Sequence, residues 1–472
     1  MDNGSFLRVG FVSLNFPVMS AKENKVFPKA NNLLKKISSE IGFNLIVWPN
    51  LISEKSQAIQ ASEYFLSLKI DALVIQIASL IMGDVVLPLA AATDNLLIWG
   101  MDEPSYLGEL SLNSLTGFNL FVSLVKNNWN EKKKMKWFWG MENQFHDRFS
   151  MTIKALSAFS QLRGKKFITI GKTVPTFDNL EPNREAFQKN FGIIFEDLAI
   201  NDFFEIVEKT KNEEVSALAS SLTNNATCVK VDNASLQSTA QICHALDKVK
   251  QEFGASAAAL RCWPEFQTWN HIAPCAAVAW ANDNCMTVSC EGDLAGAVAM
   301  YLGKIISGKA TTMNDPVAFD WESGTIQMWH CGPGPASWAD ESGQCLDYHH
   351  TLNRRLANDE KPYGVSSDIH FAKGPATILR IRPDGSHLMV IECDIVDGPS
   401  KPFPGSGGWF ANLHIGNDVV SLSDFLQMIA YYGLEHHYPI MRGHYFNILD
   451  EIAGWSRLSI LNKIDSSVHQ VI

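Results

Sequence analysis

Short apolar runs alternate with amphipathic segments through the first third of the chain. Four runs are almost continuously hydrophobic and predict strands, at positions 7–14, 45–48, 72–77 and 96–99. Between them, segments such as 28–41 and 56–68 predict helices, because their apolar residues recur three and four positions apart. Apolar strands separated by helices are typical of a parallel sheet buried on both faces. The pattern therefore predicts a wound α/β domain.

The same alternation returns after a long helical segment at about 142–161. Further apolar runs predict strands at 166–171, 193–194, 227–231, 257–261 and 287–289. Helical segments again separate these runs, and the last run leads into a helix predicted at 294–306. A second wound α/β domain follows from this pattern.

Beyond about position 347 the pattern changes to antiparallel signals. Two runs, 375–382 and 386–393, flank a proline, an aspartate and a glycine, which predicts a β-hairpin. The predicted fold class is thus α/β, with two wound parallel-sheet α/β domains followed by a smaller β-rich C-terminal domain. We place the domains at 1–163, 164–346 and 347–472, in line with a usual domain size of about 150 residues.

Charge and hydropathy restrict the partners of the protein. The formal net charge is -11, and an acidic chain lacks the concentrated basic face that nucleic acids and anionic membranes require. The one basic cluster, at 132–136, predicts a solvated helix end or turn. The longest apolar stretch, 81–92, is too short to span a bilayer. We therefore expect neither a nucleic acid nor a membrane as partner.

The cysteines and the first residues indicate a compartment. The nine cysteines are odd in number, none precedes Cys228, and none forms a CxxC pair. No secretory signal pattern is visible at the start of the sequence. Free thiols in a reducing, cytoplasmic setting are the prediction.

Carboxylates mark the junction between the strand at 287–289 and the helix at 294–306. Glu291 and Asp293 follow the strand, and Asp315 comes about two dozen positions after Glu291. Asp293 is best explained as a helix cap, whereas Glu291 and Asp315 are returned to one end of the same unit and could share a divalent metal. The adjacent His436 and His437 are ordinarily surface residues, yet one neutral imidazole beside two carboxylates would suit a metal such as manganese.

Several motifs together resemble the L-fucose isomerase and L-arabinose isomerase superfamily of metal-dependent aldose–ketose isomerases. They are Cys290-Glu291-Gly292-Asp293, Asp315 at its distance, Trp329-His330-Cys331-Gly332 and Glu435-His436-His437. The family architecture of two wound domains and a β-rich C-terminal domain agrees with the predicted elements.

The resemblance implies roles for individual residues. Glu291 and Asp315 would bind the metal and transfer protons, and His437 would complete the metal shell. His330 matches a further histidine of the arabinose branch, and His436 is expected beside the substrate. The expected cofactor is Mn²⁺ or another divalent cation. The substrate is a monosaccharide, with fucose, arabinose and a modified hexose such as a sulfonated one left open.

Three further residues are candidates for substrate binding. Arg261 and Glu265 end a predicted strand of the second domain, where a structural ion pair is equally acceptable. Asn15 ends the first strand and would lie on a polar rim. The resemblance implies a homo-oligomer, a hexamer, in which residues near Asn15, Trp48 or Trp99 of an adjacent chain complete the sugar site. The alternatives are a non-catalytic sugar-binding protein and a metal-dependent sugar lyase or aldolase.

Overall fold

The computed structural model of the protein describes residues 7–129, 133–141, 143–354 and 361–466. The chain divides into two compact units, Met1–Ser160 and Gln161–Ile472. The predicted fold class is confirmed, because helix-covered parallel sheets are followed by a β-rich part. Strands from both sides of position 346 share one sheet. The division into three domains stays a prediction.

The first unit contains a five-stranded parallel sheet in the order β2-β1-β3-β4-β5. Its strands are β1 (Arg8–Leu14), β2 (Asn44–Val47), β3 (Ala72–Ile77), β4 (Asn95–Gly100) and β5 (Lys134–Trp139). Its helices are α1 (Val26–Ile41), α2 (Lys55–Ser67), α3 (Gly83–Ala91), α4 (Ser114–Trp129) and α5 (Asn143–Ser160). The long helix predicted at about 142–161 is α5, and position 142 lies outside the described residues.

The interpretation of the basic cluster as a helix end or turn is wrong for its described residues. Position 132 lies outside them, whereas Lys134 begins the edge strand β5. The buried Lys133 side chain donates to the Thr93 carbonyl at 2.9 Å and meets the Asp94 carboxylate at 3.1 Å. Lysines are common at sheet edges, where they discourage pairing with another chain. Their charge concealed the strand in the sequence.

The second unit begins with a four-stranded parallel sheet in the order β10-β9-β6-β7. These strands are β6 (Lys166–Ile170), β7 (Ile194–Leu198), β9 (Ala255–Leu260) and β10 (Thr287–Ser289). The two-residue β8 (Cys228–Val229) belongs to a different sheet. The helices are α6 (Arg184–Phe191), α7 (Ile200–Glu208), α8 (Asn212–Asn225), α9 (Asn233–Phe253), α10 (Glu265–Asn270), α11 (Cys275–Asn284) and α12 (Leu294–Ser307).

A large mixed sheet forms the rest of the second unit. Its strands run in the order β20-β16-β15-β19-β11-β12-β17-β14-β13-β8, and β18 pairs with β17. They are β11 (Thr312–Asp320), β12 (Thr325–His330), β13 (Cys345–Tyr348), β14 (Gly364–His370), β15 (Gly374–Ile381), β16 (His387–Val396), β17 (Ser406–Ile415), β18 (Asp418–Val419), β19 (Tyr438–Arg442) and β20 (Ser459–Ile460). The helices are α13 (His350–Asn353), α14 (Leu422–Tyr432) and α15 (Phe446–Ser456). The predicted hairpin is confirmed as β15 and β16.

Helix α12 lies between the two sheets of the second unit. It contacts β9 and β10 of the parallel sheet and β15 and β19 of the mixed sheet. Its residues from Leu294 to Met300 are all buried, as expected for a helix covered on both sides. The start of α12 is therefore held at the junction of the two sheets.

One pair of cysteines contradicts the prediction of free thiols. Cys228 and Cys345 lie opposite each other in β8 and β13 and form a disulfide, with their Cα atoms 4.3 Å apart. The remaining seven cysteines are free. The prediction failed because the pairing of β8 with β13 joins positions more than a hundred residues apart, which spacing alone does not show. Among the described residues, no helix is both long enough and apolar enough to cross a membrane.

Candidate active site

Glu291 occupies a tight turn between β10 and α12. Glu291 and Gly292 both have left-handed backbone angles, with φ of 59° and 73°. A Cβ atom on Gly292 would lie 2.2 Å from the carbonyl oxygen of Lys172, so only glycine fits there. Asp293 then caps α12 by accepting the N–H of Gly296 at 2.8 Å, which confirms the predicted helix cap. The turn brings Glu291 out at the edge of the sheet and keeps Asp293 buried beneath it.

His437 joins these two carboxylates. Its fully buried ring places Nδ1 3.0 Å from Asp293 Oδ2 and Nε2 3.1 Å from Glu291 Oε2. Burial alone would lower the pKa of His437, but the two carboxylates raise it to about 9. Burial would also raise the pKa of Glu291, yet the neighbouring imidazoles of His436 and His437 hold it well below its usual range. The His437 imidazole and the two carboxylates thus form one buried cluster of mutually stabilising groups.

A buried ionic network supports His437 from behind. The guanidinium of Arg380, on β15, pairs with the Asp293 carboxylate. Its Nε lies 3.5 Å from Glu435, and Arg382 Nε lies 3.1 Å from the same carboxylate. A buried charge is tolerated when it is paired in this way. The network connects β15 to the segment that carries His437.

Asp315 and His330 approach the cluster from an antiparallel strand pair. Asp315 lies within β11, and His330 is the last residue of β12. Burial raises the pKa of Asp315 above its usual value. Asp315 Oδ1 and His330 Nε2 are buried and have no hydrogen-bond partner among the described residues. Unsatisfied buried polar atoms of this kind point to a missing ligand.

Glu291, Asp315 and His330 line one cavity of ≈ 330 Å³ in the second unit. The cavity volume lies within the range of small-molecule sites. The lining residues include Cys262, Trp263, Gln267, Cys275, Glu291, Asp315, Trp329, His330, Cys331, His349 and Thr351. Converging carboxylates and imidazoles around such a cavity are typical of an enzyme that transfers protons.

The donor set fits a divalent metal. Ligand atoms of Glu291, His436 and His437 lie within 4.8 Å of one another, as do those of Asp315, His330 and His437. The two groups share His437, so both carboxylates reach the same imidazole. Carboxylate oxygens with a neutral nitrogen suit a hard or borderline cation such as Mn²⁺. The unsatisfied Asp315 Oδ1 provides one further donor atom for it.

The other candidate residues lie at varied distances from this centre. His436 Nε2 is 3.7 Å from Glu291 Oε2, and its ring packs against Phe177. Arg261 and Glu265 form the ion pair that the sequence left open, and Arg261 also donates to the Gly171 carbonyl at 3.1 Å. Their neighbours Cys262 and Gln267 line the cavity. A substrate role for either member of the pair stays a prediction.

In the first unit, Asn15 accepts the hydroxyl of Ser79 at 3.0 Å and is partly exposed. Trp99 is fully buried and stacked on Phe145, with its indole N–H donated to the Gly140 carbonyl. Trp99 itself is therefore closed inside its own unit, and the expectation that residues near it complete a sugar site stays a prediction. Asn15 and Trp48 retain partial exposure.

The sequence did not reveal the residues that surround Glu291, Asp315 and His437. Arg380 gave no signal, since an arginine inside a predicted strand is usually exposed. Asp293 was recognised only as a cap, although it also holds His437. Cys275, Cys331 and His349 were not considered, because thiol and imidazole clusters assembled from distant positions leave no spacing pattern.

Comparison with known proteins gives relatives of one activity. The sulfoquinovose isomerase of Priestia aryabhattai is 26% identical over 353 residues, covering 74% of this chain and 75% of the relative. That of Alkalicoccus urumqiensis is 24% identical over 370 residues, covering 77% and 80%. That of Clostridium sp. (strain MSTE9) is 26% identical over 314 residues, covering 65% and 68%. No family model matches the chain.

A solved structure gives no usable likeness. An ABC transporter solute-binding protein from Burkholderia multivorans matches 64% of this chain and 94% of its own with 13% identity, but the TM-score is 0.17. The curated relatives support a sugar isomerase, an enzyme that interconverts an aldose and its ketose. Neither the non-catalytic sugar-binding protein nor the sugar lyase or aldolase is favoured.

Proposed function

We propose that this protein is a metal-dependent aldose–ketose isomerase whose substrate is sulfoquinovose or a similar sulfonated monosaccharide. The observation that carries the proposal is that Glu291 and Asp315 line one cavity and that each has ligand atoms within 4.8 Å of those of His437. The named activity of the relatives supports the choice of sugar. The motifs shared with the L-fucose and L-arabinose isomerases support the choice of metal chemistry.

Glu291, Asp315 and His437 would hold the cation, Mn²⁺ in our proposal. A bound divalent cation supplies positive charge that stabilises negative charge developing on neighbouring sugar oxygens. The hydrogen bond to Asp293 keeps the proton of His437 on Nδ1 and directs Nε2 towards Glu291. A carboxylate behind a metal-binding histidine is a common arrangement, since it fixes the ring and raises its basicity.

Isomerisation moves one proton between C1 and C2 of the open-chain sugar and another between their oxygens. Glu291 and Asp315 are the two carboxylates that line the cavity, so we assign them the roles of general base and general acid. His330 contributes Nε2, which is free to bond a sugar hydroxyl. The tryptophans Trp263 and Trp329 also line the cavity.

The reaction is tested by incubating the protein with sulfoquinovose in deuterated water and following proton NMR. An isomerase gives the ketose with deuterium at C1 or C2. Formation of smaller fragments, or no change of the sugar at any enzyme concentration, would contradict the proposal. Glucose serves as a control for the sulfonate, and we expect slower turnover of it.

The metal is tested separately by removing divalent ions with a chelator and adding them back one at a time. We expect activity to disappear and to return with Mn²⁺ more fully than with Mg²⁺, because the site includes an imidazole nitrogen. Full activity in protein shown by elemental analysis to be free of metal would exclude this mechanism. Circular dichroism before and after chelation shows whether the fold is retained.

A further inference from the structure

Four free cysteines surround the candidate active site in two pairs. Cys275 Sγ and Cys331 Sγ are 3.9 Å apart, and both residues line the cavity. Cys262 Sγ and Cys290 Sγ are closer, at 3.2 Å. Of the four, only Cys331 is partly exposed, and the other three are buried. The Cys275–Cys331 pair therefore has the wider spacing and contains the one partly exposed thiol of the four.

Imidazole groups flank the Cys331 thiol. His330 Nδ1 lies 3.2 Å from Cys331 Sγ, which allows the thiol proton to pass to that ring. On the other side, His349 accepts the backbone N–H of Leu352 through Nδ1 at 3.1 Å, which leaves Nε2 as the nitrogen that carries a proton. Ligand atoms of His349, Cys275 and Cys331 lie within 4.8 Å of one another. Cys331 therefore has one imidazole nitrogen within hydrogen-bond distance and a second imidazole close by.

We propose that Cys331 and Cys275 form a peroxide-sensitive thiol pair in the wall of the sugar cavity. Cys331 is the thiol that reacts, because it is exposed to the cavity and has a proton acceptor beside it. Cys275 is the thiol that resolves the product, because its sulfur is the neighbouring one. Accessible cysteines next to a resolving cysteine are the usual sites of reversible oxidation.

The oxidant is hydrogen peroxide. The Cys331 thiolate attacks the peroxide, so that a sulfur–oxygen bond forms and the oxygen–oxygen bond breaks; the leaving hydroxide takes up the thiol proton as water. The Cys275 sulfur then attacks Cys331, the sulfur–sulfur bond forms and a second water leaves with the Cys275 proton. Two thiols have lost two electrons and two protons, and the peroxide is reduced to two waters.

The disulfide would alter the cavity. Closing the bond shortens the sulfur–sulfur distance from 3.9 Å to about 2.05 Å. Cys275 begins α11 and Cys331 directly follows His330 at the end of β12, so the shift draws these two elements together. We expect sugar turnover to fall by at least about tenfold on oxidation and to recover with dithiothreitol. This loss rests on the proposed function, whereas formation of the bond does not.

The test treats the full, manganese-loaded chain with peroxide, alkylates the remaining thiols and maps the cross-links by mass spectrometry. We expect a Cys275–Cys331 link that dithiothreitol reverses. Cys262 and Cys290 provide an internal control: Cys262 also lines the cavity, but both residues are buried, so their closer sulfurs should stay reduced. The Cys228–Cys345 link is present before treatment and is identified by its own peptides.

Two variants separate the roles of the paired thiols. In Cys275→Ser, Cys331 should stop at the sulfenic acid, which dimedone traps, and no link should form. In Cys331→Ser, Cys275 should remain reduced. Cys331 left unmodified at peroxide concentrations that oxidise free cysteine would overturn the proposal, as would equal oxidation of Cys262 and Cys290. Protein that turns over no sugar before treatment contradicts the proposed function alone, since the link is measured without activity.

Discussion

Each of the two ring nitrogens of His437 contacts a different carboxylate. Nδ1 faces Asp293, which orients the ring. Nε2 faces Glu291, the carboxylate that we propose binds the same cation as His437. His436, the adjacent histidine, is over a third exposed and stands 3.7 Å from Glu291. The two adjacent histidines thus differ in burial and in their distance from Glu291, and we expect their substitutions to have different effects.

We expect His437→Ala to weaken Mn²⁺ binding far more than His436→Ala. The His437 side chain is fully buried between two carboxylates, and its removal leaves them without the nitrogen ligand. Isothermal titration of metal-free protein with Mn²⁺ measures both affinities. His436→Ala is the matched control. Equal Mn²⁺ affinities in the two variants would show that His437 has been wrongly assigned as the ligand.

Asp293→Asn tests the support behind the ligands. Asparagine caps a helix as well as aspartate does, so α12 should keep its start. The charge opposite Arg380 and His437 is lost, and we expect Mn²⁺ affinity to fall roughly 10–100-fold. Glu435→Gln is the control, because it also weakens the pairing of Arg380, whereas the ion pairs of His437 among the described residues are with Glu291 and Asp293. A similar loss of affinity in both variants would mean that Arg380, rather than the orientation of His437, is responsible.

The sequence allowed some of these residues to be predicted and not others. Glu291, Asp315 and His437 could be placed together because their motifs resemble those of a known superfamily, and the cap at Asp293 because its position before an apolar helix is distinctive. Arg380 could not, because its partner Asp293 lies 87 positions away and only the packing of β15 on α12 joins them. Long-range charge pairing leaves no local pattern.

At the scale of the elements, local chemistry determined which predictions succeeded. The hairpin of β15 and β16 was predicted correctly, because its turn contains Pro383, Asp384 and Gly385 with φ of 71° at the glycine. The hairpin of β11 and β12 was missed, because Asp315 and Pro316 interrupt the apolar alternation and Pro316 sits beside a bulge. The interruption that hid β11 is also what brings a carboxylate into the cavity.

The start of α14 gives a prediction about pH. Burial alone would raise the pKa of Asp424, but the backbone N–H groups of Ser466 and Ser421 hold it well below its usual value of 3.8. A carboxyl group with a depressed folded pKa stabilises the protein above its unfolded pKa, and this contribution is lost as the pH falls. We expect Asp424→Asn to lower the free energy of unfolding by about 1 kcal/mol at pH 7.

The difference between Asp424→Asn and the unchanged protein should shrink as the pH is lowered below about 4. Urea unfolding followed by circular dichroism at several pH values measures it. Asp418→Asn is the control, since Asp418 lies in the exposed strand β18. A difference that stays constant down to pH 3 would show that the carboxylate charge contributes nothing to this cap.

At the scale of the whole molecule, the cavity lacks a partner for a sulfonate. Its described lining contains histidines but neither lysine nor arginine. A sulfonate is an anion, and proteins usually bind anions with cationic side chains or backbone N–H groups. This favours the expectation that a neighbouring chain of a homo-oligomer, a hexamer in our proposal, contributes to the sugar site.

We therefore expect the active species to be larger than the 52.4 kDa chain. Light scattering at the assay concentration measures its mass, and a fully active monomer would contradict the expectation. Mixing Glu291→Gln chains with chains altered at Asn15 should restore part of the activity if sites are shared between chains. Mixtures of Glu291→Gln chains with Asp315→Asn chains are the control, because both substitutions lie in the second unit and should not complement each other. Some restored activity in this mixture would point to the exchange of whole sites between chains.

The order of the proposed ligands along the chain has a consequence for biosynthesis. Glu291 and Asp315 leave the ribosome more than a hundred residues before His437. At the usual rate of translation that interval is on the order of ten seconds. During it the nascent chain presents carboxylates without their imidazole, and β19, which pairs with β11 beside Asp315, has not yet been made. The proposed metal site is therefore complete only after this later segment has been synthesised. Metal binding would then follow the folding of the second unit rather than start it.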